Sequence, residues 1–186
     1  DMREIQTRRW TREEYHRMAE AGILGEDDRV ELLDGEIVDM SAIGTRHAGC
    51  VTRLNHLFSL RLAKRALISI QNPIQLGEYS EPQPDVVLLR LRPDFYASDH
   101  PGPEDILLLV EVAETSAVSD RAVKLPLYAR AGIPEVWLVI LSDRDIEIHR
   151  EPSTNGYQNV TTVRPGERLS PLNFPDQEIP VEEILG

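Results

Sequence analysis

Cysteine and lysine are nearly absent from this chain: Cys50 is its one thiol, and Lys64 and Lys124 are its two lysines, among 186 residues. A single thiol rules out an intramolecular disulfide and suits a reducing cytoplasm, and a chain this long needs no covalent staple to hold a core. Long apolar runs are missing as well. Runs such as Ile106 to Val110 fall far short of the roughly 20 residues that a membrane-spanning helix requires, so neither a transmembrane segment nor a membrane partner is expected. The opening Asp1-Met2-Arg3-Glu4 carries no apolar stretch of the kind found in signal peptides, which again points to the cytoplasm. Positive charge is in short supply, with 20 Lys+Arg against 32 Asp+Glu and a net charge of -12. That balance argues against tight, non-specific coating of DNA. It leaves open a brief approach through a local basic face, because the field near a cleft matters more than the total.

No repeat, low-complexity tract or obvious linker divides the sequence, so residues 1–186 are expected to form one domain. A helix and hairpin would occupy 10–40, a core about 46–150, and a polar tail 165–186. Thr11 and Glu14 form a capping-box pattern and Gly22 a stop, predicting a helix over 12–21. Asp34-Gly35, between Arg29-Val-Glu-Leu-Leu and Glu36-Ile-Val-Asp-Met, suits a type I′ turn and predicts a hairpin. From Arg46 to Ala66 the apolar positions Cys50, Val51, Leu54, Leu57, Phe58, Leu62 and Ala66 recur at helical spacing, leaving Arg53, Arg61, Lys64 and Arg65 on the other face. Strands are expected over 67–76 (interrupted by Pro73), 86–91, 106–114, 135–141, 146–150 and 157–163. A helix over 119–131, stopped by Gly132, must kink or restart at Pro126. The pattern is that of an α/β (mixed α+β) protein, with a mixed β-sheet flanked by helices.

Glu111 carries the most chemical information. Strand alternation places it with Leu107, Leu109 and Ala113 on one face, where a carboxylate must be protonated, paired with a cation or bound to a metal. An ordinary salt bridge at a strand end is the plain alternative. Asp85 follows Pro84 and precedes Val86-Val-Leu-Leu, at the mouth of another strand, although Pro-Asp is also a common turn dipeptide. Two carboxylates from neighbouring strands are what a hard divalent cation needs: Mg²⁺ takes oxygen ligands and keeps several waters. Lys124 shares a helical face with Asp120 and Tyr128. It could form a surface ion pair with Asp120, or direct a positive charge at a phosphate or an attacking water.

Taken in order, Pro84-Asp85, Glu111-Val-Ala, and Asp120-Arg-Ala-Val-Lys124-Leu-Pro-Leu-Tyr128 through Gly132-Ile-Pro-Glu135-Val-Trp137 resemble an uncharacterised family of putative restriction endonucleases within the PD-(D/E)XK nuclease superfamily. Trp10-Thr-Arg-Glu-Glu-Tyr15, Glu31-Leu-Leu-Asp-Gly-Glu36-Ile and His47 extend the similarity over roughly 10–150. The resemblance implies a restriction endonuclease-like core in which Asp85 and Glu111, with the Val112 carbonyl, hold Mg²⁺ or Mn²⁺. In the superfamily a lysine lies two residues after the glutamate; here that position is Ala113, and the resemblance implies that Lys124 supplies the charge from the following helix. It also implies auxiliary parts for Glu31, at a metal or its water, and for His47 near the cleft, with Asp120 and Tyr128 alongside Lys124. Ile140 stands where the family's strand often ends in aspartate. No His-His spacing suggests zinc, and His16, His56, His100 and His149 read as surface or packing residues.

The expected function is metal-dependent hydrolysis of phosphodiester bonds in DNA. Arg53, Arg61, Lys64 and Arg65 would meet the backbone, unless they are simply a solvated face. A module that keeps the fold but has lost turnover, binding nucleic acid or serving as a scaffold, is the alternative. A hydrolase of small phosphoesters comes third. Apolar strand edges expected at the hairpin and at 135–141 suggest a symmetric homodimer.

Overall fold

The computed structural model describes residues 5–115 and 120–186, with no side-chain description at 120 and 121. Helix α1 (Arg12–Glu20) begins as its sequence dictates: the Glu14 N–H donates to Thr11 Oγ1, and the Thr11 N–H to the Glu14 carboxylate. Strands β1 (Val30–Leu33) and β2 (Glu36–Asp39) pair antiparallel around Asp34 and Gly35, both in the left-handed region with φ of 49° and 86°. Glycine is required twice over at 35, since a Cβ there would lie 2.5 Å from the Cβ of Arg9.

Helix α2 (Thr45–Leu62) leads to the main sheet, built from β3 (Leu67–Ile70), β4 (Val86–Leu89), β5 (Ile106–Ala113), β6 (Glu135–Ile140), β7 (Asp145–Ser153) and β8 (Gly156–Val163). The six strands lie in chain order, and every neighbouring pair is antiparallel except β5 and β6, which are parallel. A parallel pair needs a crossover, and α3 (Leu125–Arg130) lies within it. The helix expected over 119–131 starts partly outside the described residues. A π-helical turn at Asp120–Lys124 precedes α3, and Pro126 sits in its first turn, so the proline restarts the helix instead of kinking it.

One face of the sheet packs Val86, Leu88, Leu108, Val110, Trp137 and Val139 against Cys50, Leu54, Phe58 and Leu62 of α2. The other packs Val87, Leu89, Leu109, Val136 and Leu138 against Leu125, Leu127 and Tyr128 of the α3 segment.

Two expectations are corrected here. The C-terminal stretch is not a polar tail: β9 (Arg168–Leu169), β10 (Ile179–Pro180) and α4 (Val181–Leu185) bury Leu169, Phe174, Ile179, Val181, Ile184 and Leu185 in the α2 side of the core. Val181, Ile184 and Leu185 stand at helical spacing, but the run is too short to announce a packed helix, and its apolar residues gain their burial from distant chain. The run at 135–141 also exposes no edge, because β6 lies between β5 and β7; the edges of the main sheet are β3 and β8.

Candidate active site

The β4–β5 register positions the two carboxylates. Val86 pairs with Val110 and Val87 with Leu109, so one step further along this antiparallel ladder brings Asp85 opposite Glu111. Residues directly opposite present their side chains to the same face. Here that face opens into a cleft of about 750 Å³, lined by Asp85, Glu111, Val112, Glu31, His47 and Lys124 among others. Glu111 and Asp85 are only 6% and 8% exposed.

Each carboxylate is held. One Asp85 oxygen accepts from the Val112 N–H at 2.8 Å, and the other lies 3.1 Å from His47 Nε2 at the start of α2. The hydrogen bond to Asp85 is the main cause of a raised His47 pKa, opposed by burial and reinforced by the Asp85 charge. Glu111 Oε1 accepts a 2.6 Å hydrogen bond from the buried Tyr128 hydroxyl and lies 3.5 Å from Lys124 Nζ. The same ammonium is 2.9 Å from Glu31 Oε1. Glu31, far from being an outward residue of the hairpin, is 4% exposed.

The structure thus gathers Asp85, Glu111, Lys124, Glu31, His47 and Tyr128 around one cleft, while the Asp120 side chain lies outside the described residues. Burial of so many charges is sustained by pairing, since an isolated buried ion costs several kcal/mol. Sequence reasoning missed Gln83, whose backbone N–H donates to Glu31 Oε2 at 3.0 Å, and Gln71, whose N–H donates to the Asp85 carbonyl at 3.0 Å. Contributions from the backbone carry no signal in residue type.

The basic face expected on α2 is a second correction to the site. Arg53 donates to the carbonyls of Ile184 and Leu185 at 2.9 and 2.8 Å, Arg61 to that of Glu178 at 3.1 Å, and Arg65 pairs with Asp176 and stacks over Phe174. These arginines fasten the C-terminal segment, and Lys64 stands exposed without them. His16 and His149 are engaged as well, His16 with the buried Glu81 at 2.7 Å and His149 with Glu147 at 3.0 Å.

The cleft suits a hard cation. Its lining carries six carboxylates (Glu31, Glu36, Asp39, Asp85, Glu111 and Glu114) against Arg29 and Lys124. No group of three His, Cys, Asp or Glu side chains is arranged to enclose a metal among the described residues. A donor set of Asp85, Glu111 and the Val112 carbonyl would leave the other coordination positions to water and substrate.

A mixed sheet flanked by helices thus carries an acidic pair and a lysine at one end. The model of a family described as "Uma2: Putative restriction endonuclease" matches residues 12–182, and the chain belongs to that family. A solved structure of a putative nuclease from Anabaena variabilis ATCC 29413 shares the fold, with a TM-score of 0.73 over 89% of this chain and 95% of that one at 12% identity. No curated protein matches the chain. No helix among the described residues is long and apolar enough to cross a membrane.

Proposed function

We propose that the cleft hydrolyses phosphodiester bonds in DNA with the help of Mg²⁺ or Mn²⁺, held by Asp85, Glu111 and the Val112 carbonyl. The observation that supports this most directly is the register that sets Asp85 opposite Glu111, with Lys124 Nζ 3.5 Å from the glutamate. The family's description as putative restriction endonucleases agrees with it. When bound, the cation would supply an activated water and neutralise charge on the scissile phosphate.

The chain's own side chains do the positioning. The Tyr128 hydroxyl fixes one Glu111 oxygen, while His47 and the Val112 N–H fix Asp85. Such outer partners orient a ligand and hold its charge in place. Lys124 directs an ammonium into the cleft, where it stabilises charge that develops on the phosphate during attack. Cleavage would leave a phosphate end. Two chains acting as a pair could cut both strands.

A catalytically silent nucleic-acid-binding or scaffold module is the second reading, favoured by the acidic lining and by the commitment of Arg53, Arg61 and Arg65 to the C-terminal segment. Supercoiled plasmid and Mn²⁺ titration separate the two. The nuclease reading expects nicking that depends on Mg²⁺ or Mn²⁺, and loss of both nicking and Mn²⁺ binding in Asp85→Ala and Glu111→Ala. Nicking that persists in purified Glu111→Ala would sink the site assignment.

A further inference from the structure

We infer that Glu31 acts as the positioning residue for Lys124, and that it does not ligate the metal. The inference rests on the nuclease reading for its consequence in catalysis, but on separate contacts for its geometry.

Both Glu31 oxygens are held, as both Asp85 oxygens are, but one partner of Glu31 is an ammonium in close contact: Oε1 lies 2.9 Å from Lys124 Nζ, and Oε2 accepts the Gln83 N–H at 3.0 Å. A divalent cation seated on Oε1 would meet an ammonium at contact range, and like charges repel strongly in a partly desolvated cleft. The backbone that carries the carboxylate is fixed. Its strand is bridged to the segment before β4 through Leu32 and Glu81, with the Glu81 N–H donating to the Leu32 carbonyl at 2.8 Å and the Gly35 N–H to that of Tyr79 at 2.7 Å. The Asp34 N–H adds a bond to Ser80 Oγ at 2.9 Å. The hairpin is therefore sewn to the chain that leads into Asp85, and it delivers Glu31 at a fixed height over the lysine.

This gives a physical reason for a lysine that comes from a helix. A four-carbon stem is flexible and loses considerable rotamer entropy when fixed. Nζ lies 3.5 Å from Glu111 but 2.9 Å from Glu31, the closer of the two carboxylates. With Glu31 in place the ammonium sits between two carboxylates from different elements, beside the position that a scissile phosphate would occupy. Ligation is then left to Asp85, Glu111 and the Val112 carbonyl.

The test is a double-mutant cycle of Glu31→Gln and Lys124→Met in the full chain, read three ways: Mn²⁺ affinity by titration, kcat and KM for plasmid nicking, and thermal unfolding of the metal-free protein. Glu31→Gln is expected to weaken Mn²⁺ binding by no more than about 100-fold and to lower kcat about 10–100-fold with little effect on KM. The double variant is expected to cleave no more slowly than Lys124→Met alone, because the two residues act as one unit. Glu31→Asp, which keeps the charge but shortens its reach, should recover part of the lost kcat and serves also if Glu31→Gln does not fold. Weakening of Mn²⁺ binding by more than about 100-fold in Glu31→Gln, beyond what loss of an outer partner brings, overturns the inference. So does strict additivity of the two substitutions. If the unaltered protein neither binds Mn²⁺ nor nicks plasmid, the nuclease reading fails. The unfolding cycle then decides the Glu31–Lys124 coupling alone: non-additivity upholds it and additivity overturns it.

Discussion

The two faces of the main sheet use the same strands to different ends. Toward α2 the inward side chains of β4, β5 and β6 are apolar except for the fully buried Glu135, which Arg150 and the Leu172 N–H hold, and Trp137 and Phe58 meet there with both rings fully buried and their centroids 5.9 Å apart. Toward α3 the face is apolar only until the end of the ladder, where Asp85 and Glu111 replace the aliphatic side chains. One face holds the sheet together; the other gives up burial of hydrocarbon at its end so that charge can be presented to a cleft. Cations follow the same division. On the α2 side Arg53, Arg61 and Arg65 are fasteners for the C-terminal segment, whereas on the α3 side Lys124 points into the site.

The sharpest way to break this comparison is to damage the apolar face and look for an effect on the other. Phe58→Ala removes a ring with no exposed surface, and large-to-small changes of this kind cost about 3–5 kcal/mol. Urea unfolding should show that loss, while Mn²⁺ affinity in the native protein stays as it was. A parallel fall in Mn²⁺ affinity would mean that the faces are not energetically separate.

A smaller effect is expected for Arg53→Ala. Its guanidinium makes two hydrogen bonds to the carbonyls of α4, and bonds to charged groups contribute about 1.5–3 kcal/mol. Stability should fall by about 2 kcal/mol, with the C-terminal segment becoming the first part of the chain to exchange its amide hydrogens. The salt dependence of DNA binding should not change, because a fastener neutralises no phosphate. A shallower salt slope in Arg53→Ala would restore the basic-face reading of α2.

Local pattern made much of the fold and the polar site legible in advance. Thr11 and Glu14 cap α1 as their spacing requires, Asp34-Gly35 turns the hairpin, and strand alternation singles out Glu111 as the carboxylate on an apolar face. Lys124 was legible as a face neighbour of Tyr128, and the structure brings both to Glu111. What escaped notice depends on distance along the chain. Arg53 and Ile184 are 131 residues apart, so helical periodicity could show four cations on one face of α2 but not what covers it. The same holds for β6: an apolar run reads alike at an edge and at the centre, and only the pairing with β5 and β7 decides which it is. Gln83 acts through a backbone N–H group that every residue but proline possesses, and Gln71 uses its own backbone N–H beside a longer side-chain contact to Asp85.

The gentlest probe of the apolar face is Cys50, which sits in α2 with no exposed surface and lies 3.6 Å from the Ile184 carbonyl through its Sγ. Burial pushes its thiol up to about 11, with the nearby Arg53 acting in the opposite direction. The unfolded chain releases this proton at an ordinary thiol pKa, so above that value the unfolded state binds fewer protons than the native one and stability must decline with rising pH. The contribution is fully present below the ordinary value and is lost progressively until the native thiol itself ionises, amounting to about 2 kcal/mol by pH 10. Cys50→Ala should therefore flatten the alkaline limb of a plot of unfolding free energy against pH. An unchanged limb in that variant, or rapid alkylation of native Cys50 at pH 8, would show that the α2 face is more open to water than its burial implies. The division between a sealed face and a charged one would then have to be redrawn.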